Sequence, residues 1–257
     1  MSSTFTKRTD IDWFGNSRGL QMSSSQPDPT MLHGLTTAHL ADACIRVGVQ
    51  VRCGPVGLRP MAAGMRCSGR VLAACHAGSV DVFLEALMQC ERGDVLIVDN
   101  GGRLDEACVG DLVALEAHIG GLAGIVIDGL HRDTAEIKAI GIPLFSLGTL
   151  PAGPLRNDLT RTEKLRRVSV GRWSVDRADM VVADDDGVIF LPCSQLDDII
   201  AAASNIRDIE TRQAVSMRNG ASLREQTQFE LYLATRQSKP GYGFREHLRA
   251  IGRAIEE

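Results

Sequence analysis

Residues 93–150 read GDVLIVDNGGRLDEACVGDLVALEAHIGGLAGIVIDGLHRDTAEIKAIGIPLFSLGTL, and their rhythm sets the fold class. Asp94-Val95-Leu96-Ile97-Val98-Asp99 is a short apolar run between turn formers, the pattern of a strand buried on both faces. Asn100-Gly101-Gly102 turns the chain. A helix is expected from about Gly110 to Ile119, stopped by Gly120-Gly121. Ala123 to Asp128 reads as a second strand and Gly129 to Asp133 as a loop. A short helix follows from Thr134 to Gly141, then a third strand from Pro143 to Leu147. Strands alternating with helices of about ten residues imply βα units and an at least partly parallel sheet. The fold class is α/β.

The flanks extend this pattern. A threonine of Leu35-Thr36-Thr37 is placed to cap a helix carrying Leu40, Cys44 and Val47 on one side. Arg70 to Ala74 reads as a strand. Val80 to Glu91 reads as a helix burying Phe83, Leu84, Leu87 and Met88, with Gly93 as its left-handed cap. After Pro151 short strands are expected at 165–170, 173–175, 180–183 and 188–191, the last two joined by a tight turn at Asp186-Gly187. Ser194 with Asp197 resembles a capping box opening a long helix through about Met217, with Gly220 as its stop. The expected organisation is a flexible arm, extended or disordered, over 1–30, one domain over 31–220 and a helical extension over 221–257.

Composition removes several function classes. The chain has 257 residues, with 28 basic and 32 acidic side chains and a net charge of −4. That balance carries no global electrostatic footprint for nucleic acid. No apolar run is long enough to cross a bilayer, and the first thirty residues lack a signal-peptide core, so a cytoplasmic location is expected. Seven cysteines without a C-x-x-C pair argue against a disulfide framework and a structural zinc site. Phosphate loops, dinucleotide fingerprints, nucleophile elbows and H-E-x-x-H are all absent. Asp184-Asp185-Asp186-Gly187 has the wrong spacing for a calcium loop.

Two segments stand out as chemistry. Gly110-Asp111-Leu112-Val113 lies at an expected helix start, where backbone N–H groups and the positive end of the dipole suit a carboxylate. The plainer alternative is that Asp111 only caps its own helix. Arg132 and Asp133 lie in a loop at the carboxyl end of a strand, the edge where ligands of α/β sheets gather. There the guanidinium can bind an oxyanion and the carboxylate a hard cation. A solvated surface ion pair explains Arg-Asp equally well.

Taken together, these motifs resemble the RraA-like family. GDVLIVD, the GDL helix start, AGIVIDG leading to RD, and the PLF strand follow in the family's order. Leu35 to Ala43 is similar to its opening helix and Ala183 to Val188 to its late hairpin. The resemblance covers about residues 32–220. It implies a swivelling β/β/α domain like that of phosphohistidine domains, assembled as trimers or hexamers. It also implies class II aldolase activity on 4-hydroxy-2-oxo acids, releasing pyruvate, and decarboxylation of oxaloacetate through the same enolate. Carried over by motif, Asp133 matches the ligand of Mg²⁺ (or Mn²⁺) and Arg132 the substrate-binding arginine. Gly110, Asp111, Leu112 and Val113 match the stretch whose amides hold the pyruvate carboxylate. Asp111 also matches an acidic residue that orients metal-bound water. An acidic residue donated by a neighbouring subunit is implied, with Glu210 the candidate and Asp208 beside it. The partners expected are a small 2-oxo acid and further copies of the chain, with no nucleic acid and no membrane. The other reading within the family is a regulator that binds and inhibits an RNA-degrading enzyme. A menaquinone methyltransferase is disfavoured, because no glycine-rich adenosyl-cofactor loop follows a first strand. The tail after Gly220 departs from the short endings of the better-known aldolases and leaves open the half of the substrate beyond the pyruvyl group.

Overall fold

A computed structural model of the chain describes residues 29–156 and 165–252. The arm expected over 1–30 lies outside these residues, apart from a 3₁₀ turn beginning at Pro29. In chain order the elements are α1 (Thr37–Arg46), β1 (Arg52–Cys53), β2 (Arg59–Pro60), β3 (Cys67–Cys75), α2 (Asp81–Leu87), β4 (Val95–Asp99), β5 (Ala107–Val109), α3 (Asp111–Ile119), β6 (Gly124–Asp128), β7 (Leu130–His131), α4 (Thr134–Ile140) and β8 (Leu144–Ser146). They continue with β9 (Arg167–Val170), β10 (Trp173–Asp176), β11 (Asp179–Asp184), β12 (Gly187–Pro192), α5 (Leu196–Arg218), α6 (Leu223–Gln226), α7 (Phe229–Ser238) and α8 (Phe244–Ala250).

The main sheet has the order β1-β12-β11-β3-β4-β6-β8-β2. Its centre, β3-β4-β6-β8, is parallel, and the strands on either side are antiparallel. The sheet curls on itself. Arg59, on the β2 edge, donates to the carbonyls of Asp185 (3.2 Å) and Asp186 (2.6 Å) in the turn between β11 and β12.

Alternation along the parallel strands feeds two cores. Leu72, Leu96, Val98, Ile125 and Ile127 meet Val82 and Phe83 of α2, Val113 and Ala117 of α3, and Ile137 of α4. Val71, Val95, Ile97 and Val126 pack on the opposite face with Phe145, Val181, Phe190 and the β9–β10 hairpin. Burial on both sides explains why these strands read as continuous apolar runs. A third core joins Met180, Val182, Ile189 and Leu191 to α1 and α5. Beyond it α7, α8 and the segment joining them hold a separate aromatic cluster of Phe229, Tyr232, Tyr242, Phe244 and His247, whose Nε2 lies 2.8 Å from the Thr227 carbonyl.

Several local expectations change. Thr36 does cap α1, in a box closed by His39. The second helix ends at Leu87 rather than Glu91 and turns Val82, Phe83 and Ala86 inward, which leaves Leu84 and Met88 exposed. Gly93, at φ +89°, therefore belongs to the turn before β4 and caps no helix. The expected Ser194 capping box does not form. A 3₁₀ turn at Cys193–Gln195 runs straight into α5, so Ser194 already sits in a helical turn and Gln195 takes the cap position without a side-chain bond. The late hairpin pairs Asp184 with Gly187, so its two-residue loop is Asp185-Asp186. All seven cysteines are free thiols, and burial pushes Cys67 and Cys108 up to about 12.

Candidate active site

Beyond the carboxyl end of β6 the chain enters β7, and the segment after it carries Arg132 and Asp133. The short strands β5 and β7 pair in parallel beside them, and both escaped the reading of the sequence because they are only three and two residues long. This pair fixes the Arg132 backbone, whose N–H donates to the Val109 carbonyl at 3.0 Å. Val109 leads into Gly110, the N-cap of α3. The two segments singled out by sequence thus become neighbours through one backbone bond.

Asp133 is the N-cap of α4 and adopts a left-handed conformation, φ 60° and ψ 42°. For a residue other than glycine this costs roughly 1–2 kcal/mol, least for Asp and Asn. Its side chain does not cap α4. Oδ2 instead accepts the Asp111 N–H across the gap at 3.3 Å and lies 3.4 Å from Arg132 Nε. Gly110 permits this approach, since a Cβ there would stand 2.4 Å from Asp133 Oδ2 and 3.2 Å from Arg132 Nε. Gly153 does the same for Arg132, with a would-be Cβ 2.9 Å from Nη1. Arg132 and Asp133 keep 47% and 36% of their side chains exposed, so neither is locked into a structural pair.

Asp111 does not cap α3. The cap is Gly110, without a side-chain bond, and Asp111 Oδ1 accepts the N–H of Leu112 at 2.8 Å. The N–H of Val113, still in the first turn, lies beyond intrahelical reach. Gly110, Asp111, Leu112, Val113 and Arg132 all line one cavity of about 450 Å³, together with His76, Val80, Leu84, Leu115, Glu116 and Ile119. A larger cleft near Leu32 and Arg66, about 640 Å³, holds none of these groups.

Behind the cavity lies a polar network that the sequence did not announce. Arg156 donates to Glu106 Oε1 and to Asn100 Oδ1, each at 2.9 Å, and His76 Nδ1 lies 2.8 Å from the same Asn100 oxygen. Glu106, Asn100 and His76 are buried, and His76 stacks on Phe83 with ring centroids 5.4 Å apart. Their positions at 76, 100, 106 and 156 share no spacing, and Asn100 reads simply as a turn residue.

Other sequence candidates lie elsewhere. Glu210, on α5, is 3.1 Å from His39 Nε2, and Asp208 pairs with Arg207 at 2.8 Å. Within one chain neither lines the cavity. His131, next to Arg132, is buried with Nδ1 2.8 Å from Ser146 Oγ and Nε2 3.2 Å from Thr134 Oγ1. Burial pushes it below the usual imidazole range, so the folded chain holds it neutral. A base depressed by folding contributes stability above the unfolded value of about 6.5 and loses it as pH falls. His131→Asn is therefore expected to lower the melting temperature at pH 7.5, with the gap to wild type narrowing at pH 5. An unchanged gap would show that His131 titrates in the fold as it does in the unfolded chain.

Asp128 and Asp99 sit side by side at the ends of β6 and β4. They hold the β9–β10 hairpin by accepting the N–H groups of Gly171 (2.8 Å) and Ser169 (2.9 Å). Burial pushes Asp128 up, and neighbouring Asp99 adds to the effect. These carboxylates are accounted for by the hairpin.

As to a metal, no group of three or more His, Cys, Asp or Glu side chains gathers among the described residues. A closed cage of protein ligands is not built here. The half-exposed Asp133 carboxylate, set in the cradle that Gly110 leaves open, suits a hard ion that keeps most of its waters, as Mg²⁺ does.

The profile of the RraA-like family, described as Aldolase/RraA, matches residues 37–190. A protein of Halalkalibacterium halodurans named "Putative 4-hydroxy-4-methyl-2-oxoglutarate aldolase" is 30% identical over 142 residues, 55% of this chain and 67% of that protein. Across four such curated relatives the match spans from 33% to 67% of their own length. Among solved structures, an uncharacterized protein from Pseudomonas syringae pv. tomato superposes with a TM-score of 0.66 at 25% identity, covering 76% of this chain and 94% of its own. Streptomyces coelicolor RraAS2, described as an unusual member of the RNase ES inhibitor RraA protein family, gives 0.65 at 26% identity, covering 73% and 96%. No helix among the described residues is long and apolar enough to cross a membrane. With more than half of its residues matched by that profile, and with the same curled α/β architecture as these structures, the chain belongs to the RraA-like family.

Proposed function

We propose that the chain is a divalent-metal-dependent carbon–carbon lyase that releases pyruvate from a 4-hydroxy-2-oxo acid and decarboxylates oxaloacetate at the same site. The observation that carries this reading is that Arg132 and the first turn of α3 line a single cavity, with the Asp133 carboxylate in contact with both. The substrate's C1 carboxylate lies against the first turn of α3, where the Val113 N–H has no intrahelical acceptor and the helix dipole favours an anion. Arg132 donates to the C2 oxygen. When the C3–C4 bond breaks, its electron pair moves into the C2–C3 unit and negative charge grows on that oxygen, where a charge-assisted donor is worth most. The C4 hydroxyl loses its proton as the new carbonyl forms, and the Asp111 carboxylate at the cavity wall is the base we assign to it. Protonation at C3 then gives pyruvate. Asp133 would hold Mg²⁺ or Mn²⁺, which would supply Lewis acidity to the reaction when bound. No lysine lies in these motifs to form a Schiff base.

The proposal includes assembly into a trimer or hexamer, with Glu210, or Asp208 beside it, carried into a neighbour's cavity. Similarity to RraAS2 favours a second reading, a regulator that inhibits an RNA-degrading enzyme. One assay separates them. Pyruvate release from oxaloacetate with Mg²⁺ is expected, abolished by EDTA and restored by Mg²⁺ or Mn²⁺. Asp133→Ala is expected to be nearly inactive while still folded, with a modestly lower melting temperature because alanine tolerates the left-handed turn less well than aspartate. Full activity after thorough chelation would overturn the metal-dependent lyase, and no release under any condition would leave the regulator.

A further inference from the structure

Ile199, Ala203 and Ile206 of α5 share a buried cluster with Leu40, Ala43 and Cys44 of α1. Glu210 stands one turn beyond Ile206, at the four-residue interval that keeps it on the same side of α5. Its carboxylate meets α1 in the first turn, where Oε2 lies 3.1 Å from His39 Nε2. The hydrogen bonds of the α1 cap fix which imidazole nitrogen carries the proton. The Thr36 N–H points at His39 Nδ1 at 3.1 Å, and a backbone N–H can only donate. Nδ1 is therefore an acceptor, with the Thr36 hydroxyl 3.0 Å from the same nitrogen. In the neutral ring the proton then sits on Nε2, which donates to Glu210 Oε2. A glutamate at position 39 would close the same capping box but would offer Glu210 no donor.

We infer that His39 is a positioning residue, holding the Glu210 carboxylate in the orientation in which a neighbouring subunit's cavity receives it. The inference rests on the proposed assembly, in which Glu210 completes that cavity. Glu210 keeps 45% of its side chain exposed, so a carboxylate held at one oxygen still faces outward from its own chain. A glutamate loses much rotamer freedom when it is fixed. A donor on its own chain restricts that freedom before the subunits meet, which favours their joint site. Partners that orient the acidic groups of a metal site typically carry about 10–100-fold in activity. A surface contact that only ties α1 to α5 would be worth little and would leave the reaction alone.

The test is a double-mutant cycle on the full chain, read as turnover of oxaloacetate at saturating Mg²⁺. His39→Glu keeps an acceptor for the Thr36 N–H while replacing the donor to Glu210 by a like charge. It is expected to lower turnover about 10-fold. Glu210→Gln is expected to lower it at least as much, and adding His39→Glu to Glu210→Gln should cost nothing more. Thr36→Ala weakens the helix cap alone, so it should lower the melting temperature and leave turnover near wild type. Wild-type turnover in His39→Glu overturns the inference. So does a His39→Glu loss that persists undiminished beside Glu210→Gln, or a Thr36→Ala loss as large as that of His39→Glu. Wild-type turnover in Glu210→Gln would overturn the donated acid and this inference with it, while the lyase stands. No pyruvate release by the wild-type chain would overturn the lyase reading and this inference together.

Discussion

Arg132→Ala is expected to lower turnover of oxaloacetate by about 10²–10³-fold, the usual consequence of losing one donor to a developing oxyanion. The variant should fold normally. Nearly half of the Arg132 side chain is exposed and its contact with Asp133 is long, at 3.4 Å from Nε to Oδ2. The backbone bond from Arg132 to Val109 that joins the two site segments does not involve the side chain. Arg132→Lys should recover little, because an ammonium on a flexible stem does not reproduce the planar fork held beside Gly153. The effect should fall on kcat more than on KM, since the charge that Arg132 meets develops in the transition state. Wild-type turnover in Arg132→Ala would reduce the pair to a surface contact.

Gly110→Ala is expected to be almost as damaging, for a reason that is purely steric. Gly110 lies at φ −123° and ψ −170°, an extended conformation that alanine adopts freely. No backbone strain is introduced. The new Cβ would instead stand 2.4 Å from Asp133 Oδ2, so the carboxylate must move. A displacement of about 1 Å at a reacting centre can cost about 10²-fold in rate. Pyruvate release should fall by that order, with the melting temperature within a few degrees of wild type. The Mg²⁺ concentration for half-maximal activity should rise as well. Unchanged activity and unchanged Mg²⁺ dependence would mean that the position of Asp133 does not govern the reaction.

The cradle shows what a linear reading can and cannot carry. Arg132, Asp133 and the Gly110–Val113 stretch were legible because each falls at a junction that sequence marks well: a helix start, or the end of an apolar strand. Their mutual geometry was not legible. The left-handed turn at Asp133 follows from β5 and β7, five residues in all, too short for any period to register. His76, Asn100, Glu106 and Arg156 were invisible because their partnership is made by the sheet bringing distant segments together.

The sequence by itself determined the βα rhythm of residues 93–147, the parallel centre of the sheet, the capped start of α1 and the long helix after residue 195. Each of these is a property of periodicity, of the alternation of strands and helices along the chain, or of a local cap. Tertiary structure alone decided which face of α2 turns inward, because Val82, Phe83 and Ala86 fit the β3–β4 surface. It also decided that Ser194 is no cap, because the end of β12 delivers the chain directly into a 3₁₀ turn. Above all it decided the shape of the cavity. The apolar groove beside Arg132 exists because α2 and α3, separate in sequence, pack side by side on the β3-β4-β6 surface, and Leu84, Leu115 and Ile119 line the space beside them. That pairing depends on strand order, and strand order is set by the whole sheet.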